Sequence, residues 1–323
     1  LMHSFTALAA CTVLAAVGAS GHLSATGELL KRLYPDASRG RVYGVLQTFV
    51  MLFAAGMTYG VGRWLDADAQ AFRGFLPLMC GVQGLGAAAL WGLAHASGAE
   101  AQRQRVVSNG RGLLASAVEP LSHMREVLAS DNRFARYEAA FMTYGIGWMV
   151  CNALVPILAT KKLGLDYHAV AASAYMPYQL ALGLCMLPAG LLLDRLGASR
   201  ATAWAFLALA GYPIGLALAG SGEQLGWVTL YYGVTHAGVN AGWMLGPVSL
   251  APTHAKVPQY IAIHATLVGV RGALFQVLGV YLYKWTGSFT APLVLAAVAL
   301  VVAAWQMMDL HRRMVDGRSV PGR

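Results

Sequence analysis

Residues 291–305 read APLVLAAVALVVAAW, a run without a single charge. A lipid-embedded barrel strand alternates apolar and polar residues over about 10 positions, and this run does not alternate. It reads as helix, in which each backbone N–H bonds within its own segment as a bilayer core requires. With its flanks it forms the stretch 289–310, and about 20 mostly apolar residues suffice to cross about 30 Å of hydrocarbon.

Eight further stretches have the same character: 2–30, 42–62, 74–95, 135–160, 168–193, 200–219, 224–248 and 259–284. Composition agrees, with 57% hydrophobic and 11% charged residues and a mean hydropathy of +0.55 over 323 residues. A soluble domain carries roughly 25% charged residues to cover its exterior, and this chain has too few. The expected fold class is an all-α membrane protein with about nine transmembrane helices. The first stretch has no basic leader and runs too long for a cleavable signal.

The net charge of +9 fits the Lys and Arg excess that orients membrane helices better than it fits nucleic-acid binding. Nine crossings divide the loops into two alternating sets. One holds seventeen basic residues, from Lys31 through Arg103–Arg136, Arg195 and Arg200 to the tail at Arg312–Arg323. The other holds five: Arg63, Arg73, Lys161, Lys162 and Lys284. The basic side is expected in the cytoplasm, which places the C-terminus there. Cys11, Cys80, Cys151 and Cys185 lie in apolar runs without CxxC spacing and read as buried small hydrophobes.

The longest connection, about 96–134, falls on the cytoplasmic side. It holds the polar run SGAEAQRQRVVSNGRG (97–112) and then an amphipathic stretch, LLASAVEPLSHMREVLASDNRF (113–134), expected as an interfacial helix. Three apolar segments precede it and six follow.

The turn after the second of those six reads Gly190-Leu-Leu-Leu-Asp194-Arg195-Leu-Gly197-Ala198-Ser199-Arg200. Gly190 and Gly197 would permit tight backbone at a short hairpin, and Asp194 would cap the next helix and pair with a nearby cation. This stretch resembles the G-x-L-x-D-R-x-G-x-x-R loop of major facilitator superfamily transporters, with Ala198 and Ser199 where basic residues are usual. Tyr34-Pro35 and Arg39-Gly40-Arg41-Val42-Tyr43-Gly44 resemble the cytoplasmic turn after the family's fourth helix. The resemblance implies a partial N-terminal half at 1–95, a central cytoplasmic loop at 96–134, a C-terminal six-helix half at 135–312 and a cytoplasmic tail at 313–323. It further implies that the first three helices of a twelve-helix fold lie outside this sequence, which looks fragment-like.

An ionisable side chain at a helix centre costs about 2.5–3.5 kcal/mol on insertion scales, so each one asks for a reason. Arg271 lies mid-segment, with His264, Tyr260 and Phe275 on its helical face. His236, Asn240 and Trp243 share one face of the seventh segment, and Tyr144, Trp148 and Asn152 share one of the fourth. The first segment offers Ser20, His22, Thr26 and Glu28. Glu28 and Glu138 lie near the cytoplasmic end and are expected to be solvated. Trp64, Tyr167 and Trp285 read as interface anchors. Gly233, Gly238, Gly242 and Gly246 run down the seventh segment, which suits either a gate or close packing. Pro156, Pro177, Pro188 and Pro247 are expected to kink their helices.

By resemblance, segments one, four and seven line a central cavity flanked by segment eight. This makes His236, Asn240, Tyr144 and Asn152 cavity candidates. Arg271 would bind an anionic substrate, pair with a carboxylate or serve as a structural charge. His264 and His236 titrate near neutral pH and are candidates for a coupling proton. The Gly190–Arg200 loop and Arg39, Gly40 and Gly44 would form the gating turns.

The function these features imply is secondary transport of a small organic solute by a monomer in a bacterial inner membrane. Its partners would be that solute, protons and lipid, with no cofactor and no nucleic acid. The alternative is a non-transporting or truncated protein on the same scaffold. A membrane-embedded enzyme would need an HExxH, paired intramembrane aspartates or a GxSxG turn, and the sequence offers none.

Overall fold

The computed structural model describes residues 33, 36–68, 70–96, 124–253 and 256–316. Among these the chain is helical throughout, as the unbroken apolar runs require. We number the helices α1 (Asp36–Ala67), α2 (Phe72–Ala96), α3 (Met124–Ser130), α4 (Asn132–Lys162), α5 (Tyr167–Leu196), α6 (Ala198–Leu218), α7 (Gly222–Leu250), α8 (Val257–Thr286) and α9 (Thr290–Asp316). Eight of the nine expected segments fall within long helices; the segment 2–30 lies outside the described residues, as do most of the central loop and the tail beyond Asp316.

Seven of the described helices are long and apolar enough to cross a membrane. Helix α7 is as long, at 29 residues, but interrupts its apolar run with Thr229, Thr235, His236 and Asn240.

The chain divides into two compact units, residues 1–40 with 73–122 and residues 41–72 with 123–323. In the first, α2 is the long described helix. The second holds most of α1 and all of α3–α9. Within it α5 packs along α7, α4 lies against α9 and α8, and α6 bridges α9 and α7. Phe134, Phe141, Leu154, Phe206, Leu216, Leu225, Leu300 and Met307 are fully buried at the centre. The outward residues are apolar as well. Helix α8 exposes Val270, Leu274, Val277 and Tyr281 while burying Tyr260, Ile263, His264 and Arg271. An apolar exterior around a partly polar interior is the arrangement lipid permits and water does not.

Helix α1 joins this unit through α5. Thr48 Oγ1 donates to Gly183 O at 2.9 Å, and Asp66 accepts from the backbone N–H groups of Tyr167 at 3.1 Å and His168 at 2.7 Å. Those N–H groups open α5 and have no partner within it, so a carboxylate there satisfies two of them.

Several local expectations are corrected. Arg39, Gly40 and Gly44 are not at a turn: α1 begins at Asp36 and carries all three in helical backbone. Gly190 lies inside α5 with open space beside it, so nothing in its surroundings demands glycine. Gly197 alone makes the α5–α6 hairpin, at φ +79°. Asp194 does not cap α6, whose N-terminus has no side-chain cap. It sits one turn too early, on the exposed end of α5. Cys151 is buried, but Cys80 is exposed and Cys185 only half-buried, because apolar surroundings in a membrane protein include lipid. Pro156 and Pro177 flank π-helical turns at Leu158–Lys162 and Ala171–Tyr175. A proline removes one N–H from the ladder, and the wider turn accommodates the mismatch.

Candidate functional site

The polar residues of α4, α5, α7 and α8 converge inside the second unit. The deepest contact joins α4 to α8: His264 Nδ1 lies 2.9 Å from both Glu138 oxygens. With the carboxylate ionised, Nδ1 is the donor of this contact. Nε2 is buried with no protein partner among the described residues. Aromatic rings enclose the pair: Phe141 meets the imidazole edge-on at 5.1 Å, with Trp243 at 5.4 Å and Tyr137 at 6.0 Å.

Glu138 is only 3% exposed, which corrects the expectation of a solvated residue. It lies about 9 Å along the axis from the start of α4. Its helical face, however, looks at α8 and not at solvent. Depth follows from position along the chain, whereas burial follows from the neighbouring helix, and a single-segment reading misses that.

Arg271 sits beside this pair and is 2% exposed. Its Nη1 donates to Phe141 O at 2.8 Å, a carbonyl on the same α4 turn. Its guanidinium lies 5.4–5.9 Å from the ring centroids of Tyr144, Phe141 and Trp148. Three aromatic faces give a cation part of what water would otherwise supply. Gly145 makes room for it: a Cβ at that position would overlap the Arg271 stem. The Nε of Arg271 has no partner among the described residues.

On the other side of Tyr144 lies His236 of α7. Its Nε2 is 3.0 Å from Tyr144 OH and its Nδ1 is 3.0 Å from Tyr178 OH, so both ring nitrogens are engaged. Trp148 Nε1 donates to Tyr232 OH at 2.5 Å. The rings of Tyr178 and Tyr212 stack on Tyr232 at 4.4 and 4.2 Å. Tyr178, Tyr212 and Tyr232, which the sequence reading did not single out, thus complete the cluster. Tyr178 lies seven residues past Ala171, on the α5 face that meets α7, and only the packing of those two helices brings it to His236.

The structure brings Arg271, His264, His236 and Tyr144 together with Glu138. Asn240 is half-buried one turn below His236, and Asn152 is exposed, outside the enclosed cluster. Ser20, His22, Thr26 and Glu28 lie outside the described residues. Among the described residues no group of three His, Cys, Asp or Glu side chains could hold a metal ion.

The second unit thus buries a carboxylate–imidazole contact and an arginine side by side. The model of the Major Facilitator Superfamily matches residues 1–257. The chain belongs to the major facilitator superfamily. It is therefore a multi-pass membrane transporter of that family, whose members carry small solutes and are not enzymes. The match runs through α1–α7, including the Gly190–Arg200 hairpin and His236. No curated protein matches the chain.

Proposed function

We propose that this superfamily member is a secondary active transporter that carries a small organic solute by alternating access and couples it to protons through Glu138 and His264. The buried Glu138–His264 contact beside Arg271 carries the proposal. With a neutral imidazole, Glu138, His264 and Arg271 sum to zero charge. A proton added at His264 Nε2 raises the sum to +1 in a low-dielectric enclosure, where an uncompensated charge is costly. An anionic solute compensates it, so proton and anion favour each other's binding, as linkage requires. A small organic anion moving with protons is the solute class this favours.

Tyr144 lies against Arg271 and His236 against Tyr144, with Asn240 one turn along α7, so hydrogen-bonding groups stand beside the cation. The close α5–α7 packing and the one-residue Gly197 hairpin let helices move as rigid rods about short connections, which suits rocking between two states. Asp194, Arg195 and Arg200 lie exposed at that hairpin, placed for contacts that form in one state and not the other. The basic face is assigned to the cytoplasm and the membrane to the bacterial inner membrane, with a monomer as the working unit.

The test is uptake of candidate organic anions by the purified chain in proteoliposomes, with and without an imposed pH gradient. Uptake that rises with an inward proton gradient and collapses with a protonophore supports the reading. Movement of neutral or cationic solutes only, indifferent to the gradient, would overturn it.

A further inference from the structure

A second cluster of charge lies at one membrane face, where α4 begins and α9 ends. A cavity of about 220 Å³ is lined by Asn132, Arg133, Arg136, Leu310, Arg313 and Met314. Asp309 sits between two of the arginines, accepting from Arg313 Nε at 2.7 Å and Arg136 Nη1 at 3.3 Å. Arg136 Nε donates to Asn132 Oδ1 at 3.1 Å, which further fixes its direction. Arg133 has no ion-pair partner among the described residues.

The nearby Asp131 is committed elsewhere. It accepts from the N–H groups of Arg133 and Phe134 at the start of α4 and from Tyr260 OH. Three guanidinium groups against the carboxylates of Asp309 and Asp131 leave an excess of one positive charge around the cavity. Each guanidinium has five N–H donors, and Asp309 takes only one from Arg313 and one from Arg136, so most remain to be used.

We infer that this cavity binds the phosphate headgroup of an anionic phospholipid. Guanidinium forks match phosphate oxygens in pairs, which ammonium groups do not. Two observations favour a lipid over a free anion. The cavity sits at the ends of two membrane-spanning helices, at headgroup depth. Its lining joins the cationic rim to the half-buried, apolar Met314, a contact that an amphiphile uses and inorganic phosphate does not. The site is distinct from the Glu138–His264–Arg271 cluster, and α4 carries both.

Native mass spectrometry of the purified full chain, offered phosphatidylglycerol or phosphatidylcholine, tests this. The wild type is expected to retain phosphatidylglycerol about tenfold over phosphatidylcholine, whose choline cation would have to sit among the arginines, a difference of about 1.4 kcal/mol. The double variant Arg133→Gln/Arg313→Gln is expected to bring that ratio close to one. Arg133→Gln alone, whose side chain makes no hydrogen bond or ion pair among the described residues, should lower it about threefold and guards against misfolding. Arg195→Gln/Arg200→Gln removes the same charge at the α5–α6 hairpin and should leave the ratio intact. Equal loss in both double variants would show a general surface potential and overturn the site. Full displacement of the lipid by millimolar inorganic phosphate would overturn the lipid assignment.

Discussion

Both carboxylate oxygens of Glu138 stand 2.9 Å from Nδ1 of His264, and neither residue is more than 3% exposed. Losing His264 leaves the buried Glu138 carboxylate without this hydrogen bond, at a cost of about 1–3 kcal/mol. His264→Gln should therefore destabilise the protein by about that amount. Glu138→Gln leaves the buried Arg271 charge uncompensated, and the double variant Glu138→Gln/His264→Gln should lose less than the sum of the two single variants. Thermal unfolding of the wild type, both single variants and the double variant in detergent gives the cycle, and additive losses would contradict the direct contact.

Arg271 is held by the Phe141 carbonyl and three aromatic faces. Arg271→Ala should abolish transport while the protein still inserts at normal levels, measured by uptake and by membrane abundance. Arg271→Lys should not rescue it, since an ammonium keeps the charge but lacks the planar fork that reaches a carbonyl and stacks on rings. Full activity in the lysine variant would show that only charge matters there.

Helix α7 meets its neighbours through glycine. A Cβ on Gly242 would overlap Thr202 Oγ1, and one on Gly246 would overlap the Tyr137 hydroxyl, itself bonded to Gly242 O at 2.8 Å. Gly242→Ala and Gly246→Ala should each cost about 1–3 kcal/mol by overpacking. Gly190→Ala, with open space around it, should be neutral or slightly stabilising because alanine favours helix. Thermal melts of the three variants rank them.

The α5–α6 hairpin turns on Gly197, at φ +79° and ψ 153°. Any side chain is strained in that region, so Gly197→Ala should cost about 1–3 kcal/mol even though nothing crowds the position. A melting temperature equal to wild type would show that the turn relaxes.

His236 uses both ring nitrogens on tyrosine hydroxyls. Tyr144→Phe and Tyr178→Phe each leave one buried nitrogen unpaired, at a cost of about 1–3 kcal/mol. If Tyr144 also faces the solute, its variant alone should raise the KM for transport. Equal KM changes in both variants would argue that the cluster is structural.

Much of this was legible in the sequence because lipid imposes length and apolarity on every spanning helix. The segments 135–160, 168–193 and 259–284 each fall inside α4, α5 and α8. Arg271, His264, His236 and Tyr144 announced themselves as polar residues with no solvent to meet them. What a single segment could not reveal was which face meets which neighbour. Glu138 was expected at an interface yet pairs with His264 across two helices, and Tyr178 emerged only once α5 lay against α7. Asp194 failed as a cap by one helical turn, a boundary too fine for hydropathy to set.

Proton coupling through Glu138 is the central claim, and one comparison reaches it directly. Wild type and Glu138→Gln are reconstituted in proteoliposomes and assayed twice, for solute exchange at equal pH and for accumulation against a gradient driven by protons. Glutamine keeps the shape and a hydrogen bond to His264 but removes the carboxylate whose charge stabilises a proton on the imidazole beside Arg271. The account predicts that Glu138→Gln exchanges solute at near wild-type rates yet fails to accumulate it. Proton-driven accumulation by Glu138→Gln equal to wild type would contradict it.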